Sequence, residues 1–300
     1  MYTEKLLREE HIPFRKHVPL APLCSMRVGG AADILLCPEC PEDVCRWVSV
    51  LLKHGIPFYP VGAMTNLLPP DGDVHRVLLS TRALKSVKVF DDVAVLGAGC
   101  VVGAVAAGFA LKNRDVLSGL STVPGTVGGA VRGNAGAFGA ECADTFLYAD
   151  VLRTDNGHVE RVDKDGMNFG YRTSSVKSPG YIVLSAAFCA PPADGKSLRH
   201  RMSETRALRL RSQPITYPSL GSIFLRSDDG VPAAARIDAC GLKGMRIGGA
   251  AVSVRHAGFI VNVCGASSSD VCHLIHYIQH RVKSTCGVLL RPEIEFLPRG

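Results

Sequence analysis

From Pro124 to Gly139 the chain reads Pro-Gly-Thr-Val-Gly-Gly-Ala-Val-Arg-Gly-Asn-Ala-Gly-Ala-Phe-Gly, with six glycines in sixteen residues and no charge except Arg132. Inside a regular element each glycine costs roughly 0.5–1 kcal/mol against alanine. That density therefore predicts neither a core helix nor a core strand. Its benefit is close backbone approach: with no Cβ in the way, successive N–H groups can point at an anion or at the edge of a flat heterocycle. The stretch reads as a cradle for a large phosphorylated cofactor. The competing reading is a glycine-rich structural turn with no ligand.

The common phosphate loops do not fit. No lysine lies between Gly119 and Gly139, so the Gly-x-x-x-x-Gly-Lys-Ser/Thr loop is absent. The segment Gly97-Ala98-Gly99-Cys100-Val101-Val102-Gly103 leaves three residues between its second and third glycines, where the dinucleotide fingerprint has two.

Three hundred residues allow one to three domains of ~100–200 residues. A hydrophobic share of 47% with 20% charged residues is that of a globular chain with a core of useful size. The net charge is 34 − 27 = +7, and no run of five positive residues occurs. The densest basic cluster is Arg199, His200, Arg201, Arg206, Arg209 and Arg211. It can be a solvated helix face, a site for an anionic substrate or dinucleotide, or a nucleic-acid patch. No aromatic residue interleaves with it, and nucleic acid is not an expected partner. No apolar run is long enough to span a membrane, and the start Met1 to Glu10 is too charged for a signal peptide. A cytoplasmic protein with no membrane partner is expected. Eleven cysteines, an odd number scattered along a long chain, fit reduced thiols. Cys37-Pro38-Glu39-Cys40 is a single Cys-x-x-Cys without a second pair, so it reads as structural, and no metal is expected.

Residues 32–37 read as a strand and 41–54 as a helix, with Val44, Trp47, Val48, Leu51 and Leu52 on one face. Residues 58–62 read as a second strand completing a βαβ unit, followed by a turn at 62–66. Strands are expected at 77–79, 87–89 and 93–96, and a helix at 101–112. A hairpin around Asp155-Asn156-Gly157 should join 149–153 to 158–162. Further on come a strand at 181–188, a basic helix at 197–211 and a loop at 213–230. The last third predicts strands at 247–254, 258–263 and 288–297 and a helix at 269–285. The class is α+β with at least two layers.

Three more patterns set a polar side chain beside glycine or proline in apolar sequence. They are Phe169-Gly170-Tyr171-Arg172-Thr173-Ser174, Tyr217-Pro218-Ser219-Leu220-Gly221-Ser222-Ile223-Phe224 and Arg291-Pro292-Glu293-Ile294-Glu295-Phe296. Singly, Arg172 reads as an ion-pair partner, Ser222 as a turn hydroxyl and Glu293 as a solvated residue at a strand start. Together with the cradle, with Met26-Arg27-Val28-Gly29-Gly30-Ala31-Ala32, with Gly241-Leu242-Lys243-Gly244 and with His256-Ala257-Gly258-Phe259-Ile260-Val261-Asn262, they form an ordered set. That set resembles the UDP-N-acetylenolpyruvylglucosamine reductases, in their shorter second type, over nearly the whole chain.

The resemblance implies a two-part FAD-binding domain of the vanillyl-alcohol-oxidase (PCMH-type) fold plus a smaller α+β substrate-binding domain. The expected parts are 1–80 and 81–203 for FAD and 204–300 for substrate. It implies FAD held by Gly62, Thr65 and Asn66 in a first phosphate turn. A second would comprise Pro124, Gly125, Thr126, Val127 and Gly128 with Asn134, Ala135 and Gly136. It implies a monomer that uses NADPH to reduce UDP-N-acetylglucosamine enolpyruvate to UDP-N-acetylmuramate for peptidoglycan. Hydride would reach C3 of the enol ether and Ser222 would protonate C2. Arg172, partnered by Glu293 holding or sharing a proton, would stabilise the charge that builds on C2 and the carboxylate.

The chain departs from the family pattern in three places. The first turn, usually Gly-Gly-Gly-Ser-Asn, is Gly62-Ala63-Met64-Thr65-Asn66 here. A usual Lys-Asn-Pro after Phe224 is replaced by Leu225-Arg226-Ser227, and Gly258 stands where asparagine is common. Two other functions stay open: an FAD-dependent oxidoreductase of the same fold with another substrate, and a non-catalytic UDP-sugar-binding descendant.

Overall fold

The structure is a computed structural model describing Tyr2–Gly300. The chain divides into two compact units. The first comprises Met1–Lys16, Ile34–Ala63 and Arg76–Ala207; the second comprises His17–Asp33, Met64–His75 and Leu208–Gly300.

In the first unit the helix Pro41–Lys53 forms where the 3.6-residue pattern placed it, with proline at its start and Glu42 and Asp43 in its first turn. Its buried face is Val44, Trp47, Val48 and Leu51. Each such side chain stabilises the fold by roughly 1.5–3 kcal/mol when fully removed from water. Trp47 and Leu51 pack with Leu6, Leu7, Ile34 and Leu36. Val44 and Val48 join a larger core with Leu96, Phe146, Leu184 and Phe188. That core lies against a five-stranded sheet in the order Val159–Asp163, Phe146–Arg153, Tyr181–Cys189, Val93–Gly97, Val87–Phe90. Its pairings are antiparallel, and the hairpin around Asn156 is the one expected.

The βαβ expectation is corrected in one respect. Strands Phe58–Val61 and Val74–Ser80 pair in parallel. In the sheet order, Val74–Ser80 lies between Ala31–Leu36 and Phe58–Val61. The two strands joined by the helix are thus not neighbours, because a later strand occupies the gap.

The glycine stretch is corrected as well. Val127–Arg132 is a helix, with Gly128 and Gly129 inside it. A Cβ on Gly128 would lie 2.9 Å from the Ala98 Cβ, and Gly128 N–H donates to the Ala98 carbonyl. Backbone-to-backbone packing against Ala98 offsets the propensity cost of a helix this short.

In the second unit a four-stranded sheet runs Ser219–Ser222, Phe259–Asn262, Ala250–Val252, Arg246–Ile247. The helix Ser268–Cys286 opens with a reciprocal capping box between Ser267 and Asp270 and ends at Gly287 in the left-handed region. Three expectations fail here. The 213–230 loop contains the strand Ser219–Ser222 and is followed by an unforeseen helix, Ala233–Ala239. The 247–254 strand is two short strands turning at Gly248-Gly249, with Ile247 opposite Ala250. The 288–297 strand shrinks to Glu295–Phe296. Pro292 cannot donate to a ladder and makes only an isolated bridge to Phe224.

Candidate active site

Gly62, Pro124 to Gly128, Asn134 to Gly136 and Arg172 fall in the first unit; Thr65, Asn66, Ser222 and Glu293 fall in the second.

In the first unit Asn134 is the organising side chain. It is 1% exposed. Its Nδ2 donates to Glu141 Oε2 and to the Gly170 carbonyl, and its Oδ1 accepts from Ala143 N–H. The glycine segment is thereby tied to the loop that carries Arg172. In that loop Gly170 and Thr173 exchange backbone hydrogen bonds at 3.1 and 3.2 Å, leaving Tyr171 and Arg172 as the two corner residues. Arg172 has φ +57°, a value that favours glycine or asparagine at the third position of a type II turn. The left-handed backbone is held from both ends: Arg172 Nη2 donates to the Gly136 carbonyl at 2.7 Å, and Lys177 Nζ donates to the Arg172 carbonyl at 2.7 Å. Ser174 Oγ donates to the Arg132 carbonyl and Arg132 Nη2 to the Lys177 carbonyl. A strained backbone that its surroundings over-determine is a common mark of a working site. Asn134→Ala would take the acceptor from Ala143 N–H, at roughly 1–3 kcal/mol, and would leave the Gly170 carbonyl with Thr173 N–H alone. A lower urea-unfolding midpoint, with loss of protease resistance in the 170–177 loop, is the expected result.

The fit to FAD is tested by the cradle's own polar atoms. Thr126 is 3% exposed, and its Oγ1, with Ser121 Oγ and Thr122 Oγ1, is buried with no hydrogen-bond partner. Buried hydroxyls without partners are costly. Three lie on one short segment, polar groups that a phosphorylated cofactor would satisfy where it reaches them. A Cβ on Gly62 would stand 3.1 Å from Thr126 Oγ1, so glycine at 62 avoids crowding that hydroxyl. The donors present suit a pyrophosphate and a flavin edge, and the residues fit the cofactor.

The second unit brings Ser222, Glu293 and Asn66 together. Ser219 pairs with Val261 and Ser222 with Phe259, so the Ser219–Ser222 strand carries one extra residue against its partner. Gly221, at φ +78°, absorbs this bulge. Bulges re-aim the side chain that follows them, and that side chain is Ser222. Glu293 N–H donates to the Ile223 carbonyl and Leu225 N–H to the Arg291 carbonyl, which sets the segment of Glu293 beside that of Ser222. Asn66 Nδ2 donates to the Glu293 carbonyl at 3.1 Å, and Glu295 N–H donates to the Asn66 carbonyl. Met64, at a position where the family has glycine, does adopt a left-handed backbone, φ +52°. Its side chain is 4% exposed, and burial offsets the strain.

Residues 213–297 match the family described as UDP-N-acetylenolpyruvoylglucosamine reductase, C-terminal domain. Residues 32–163 match the FAD binding domain family. The UDP-N-acetylenolpyruvoylglucosamine reductase of Rubrobacter xylanophilus is 37% identical over 92% of each chain. That of Clostridium tetani is 36% identical over 90% of this chain and 87% of its own. The chain belongs to this reductase family. The crystal structure of the reductase from Thermus caldophilus superposes with a TM-score of 0.81 at 30% identity, covering 95% of this chain and all of that one.

The chain is thus an FAD-dependent oxidoreductase. Its α+β fold combines an FAD-binding domain with the reductase's own carboxy-terminal domain. Sequence motifs did not point to Lys177, which braces Arg172, or to Glu141, which braces Asn134, and they gave no role to Ser174, which holds the Arg132 carbonyl. Only the tertiary contacts reveal them. The basic helix Gly195–Ser212 is partly structural: Arg199 Nη1 donates to the Ala110 carbonyl, and Arg201 pairs with Asp115. His17, Asp33 and Asp73 place potential metal-ligand atoms within 4.8 Å of one another. Cys37 and Cys40 join no such group among the described residues. No described helix is long and apolar enough to cross a membrane.

Proposed function

We propose that this protein reduces UDP-N-acetylglucosamine enolpyruvate to UDP-N-acetylmuramate at the expense of NADPH, as a monomer in the cytoplasm, in the supply of peptidoglycan precursors. The observation that supports this reading is the bulge at Gly221, next to Ser222, on a strand whose continuation bonds the segment of Glu293, in a chain of this family. In this reading 1–80 and 81–203 hold FAD and 204–300 hold substrate. FAD, when bound, would supply two-electron hydride chemistry between NADPH and C3 of the enol ether. Thr126, Gly125, Gly128, Gly62, Thr65 and Asn66 hold and orient that cofactor. Arg172 provides a fixed cation for the charge that builds at C2 and the carboxylate; such preorganised charge costs no reorganisation during reaction. Ser222 gives its hydroxyl proton to C2. A hydroxyl is a weak acid, so this requires a strongly basic carbon held in line with the O–H. Glu293, holding or sharing a proton, also stabilises the enolate.

Visible absorption of the purified holoprotein under anaerobic conditions tests the reading. NADPH should bleach the flavin band, and UDP-N-acetylglucosamine enolpyruvate should then restore it. A band that stays bleached after the enolpyruvate would point to another acceptor. A protein that takes up FAD but is not bleached by NADPH would exclude NADPH as donor.

A further inference from the structure

Two cysteines of the second unit lie outside the chemistry above. Cys240 follows the helix Ala233–Ala239 as its cap, and Cys286 is the last residue of Ser268–Cys286. Their Sγ atoms are 3.9 Å apart, and both residues are half-buried. A disulfide needs about 2.05 Å between sulphurs, a gap that small side-chain rotations can close. Two arginines act on the pair electrostatically, Arg236 on Cys286 and Arg281 on Cys240, with Arg236 itself paired to Asp229. Partly exposed cysteines in electropositive surroundings are the reactive ones.

We propose that Cys240 and Cys286 are a thiol–disulfide exchange site that takes a low-molecular-weight disulfide of the glutathione class and closes into an intrachain disulfide. In the first step one protein thiolate attacks a sulphur of the oxidised disulfide, forming a mixed disulfide and releasing one small thiolate. In the second, the neighbouring protein thiolate attacks the protein sulphur of that mixed disulfide and releases the other small thiol. Two protein thiols are oxidised, one small disulfide is reduced to two thiols, and the protons of the protein thiols end on the leaving thiolates. Either sulphur can make the first attack, because the other lies within reach for the second, intramolecular step. The bond would join the ends of two helices. One of them is anchored through Arg236 to Ser227 Oγ and to Asp229.

The test uses the full folded chain with oxidised glutathione. Remaining thiols are alkylated, the protein is digested without reduction, and the peptides are weighed. The expected product is a Cys240–Cys286 cross-link, two hydrogens lighter than the separate peptides and reversed by dithiothreitol. Cys264, which is exposed, should instead retain a glutathionyl group. In Cys240→Ser the adduct should accumulate on Cys286, since the resolving thiol is gone. A stable glutathionyl group on Cys286 of the unaltered chain would overturn the proposal. So would a link from Cys286 to any other cysteine, a link between two chains, or both thiols remaining free. The unaltered chain decides the matter even where a variant does not fold.

Discussion

Ser222→Ala is expected to leave reduction of the bound flavin by NADPH unchanged while turnover with UDP-N-acetylglucosamine enolpyruvate falls by about 10²–10⁴-fold, the range for losing a positioned proton donor. The two half-reactions separate because only the second needs a proton at C2. Stopped-flow absorbance would follow each in turn: bleaching with NADPH, then reoxidation with the enolpyruvate. The backbone around Ser222 is held by Gly221 in the bulge and by Ile223 N–H donating to the Gly258 carbonyl. Alanine keeps both features, so the loss should be chemical rather than structural. Equal slowing of both half-reactions would sink the proton-donor role.

Thr126→Val should act in opposite directions on the two forms of the protein. In the absence of cofactor the buried Thr126 Oγ1 has no partner. Replacing it with a methyl group of similar shape removes a desolvation penalty of roughly 1–3 kcal/mol, so the flavin-free protein should unfold at a higher urea concentration. FAD affinity should drop about 10-fold or more, as for one hydrogen bond to a charged group. Urea titration of the flavin-free protein and a fluorescence titration with FAD measure the two effects independently. A valine variant that is less stable and binds FAD as well as before would show that the hydroxyl does not face the cofactor.

Parts of this protein are legible in its sequence because they rest on local rules. The helix Pro41–Lys53 follows from spacing and a proline start, and the hairpin at Asp155-Asn156-Gly157 from turn chemistry. Ser268–Cys286 is stopped by glycine, as the pattern indicates. The segment proposed as the cofactor cradle stands out too, through its glycine density. Its helix does not. Gly128 and Gly129 argue against one on propensity, and the compensation comes from Ala98, about thirty residues earlier in the chain. Likewise no periodicity could place Ser219–Ser222, whose strand character depends on pairing with Phe259–Asn262 and whose bulge depends on register.

The sequence alone determined the family, the fold class and the residues on which the chemistry is proposed to rest, because a cofactor imposes fixed short motifs on backbone that must approach it closely. Tertiary structure alone decided how those residues are held. Arg172 keeps its left-handed backbone only because Gly136, Lys177 and Asn134 fasten its loop. Glu293 lies beside Ser222 only because segments some seventy residues apart share backbone hydrogen bonds. Cys240 and Cys286 meet only because the ends of two helices do. These are long-range pairings. Each depends on which surfaces pack together once the chain is compact, and no local spacing carries that information.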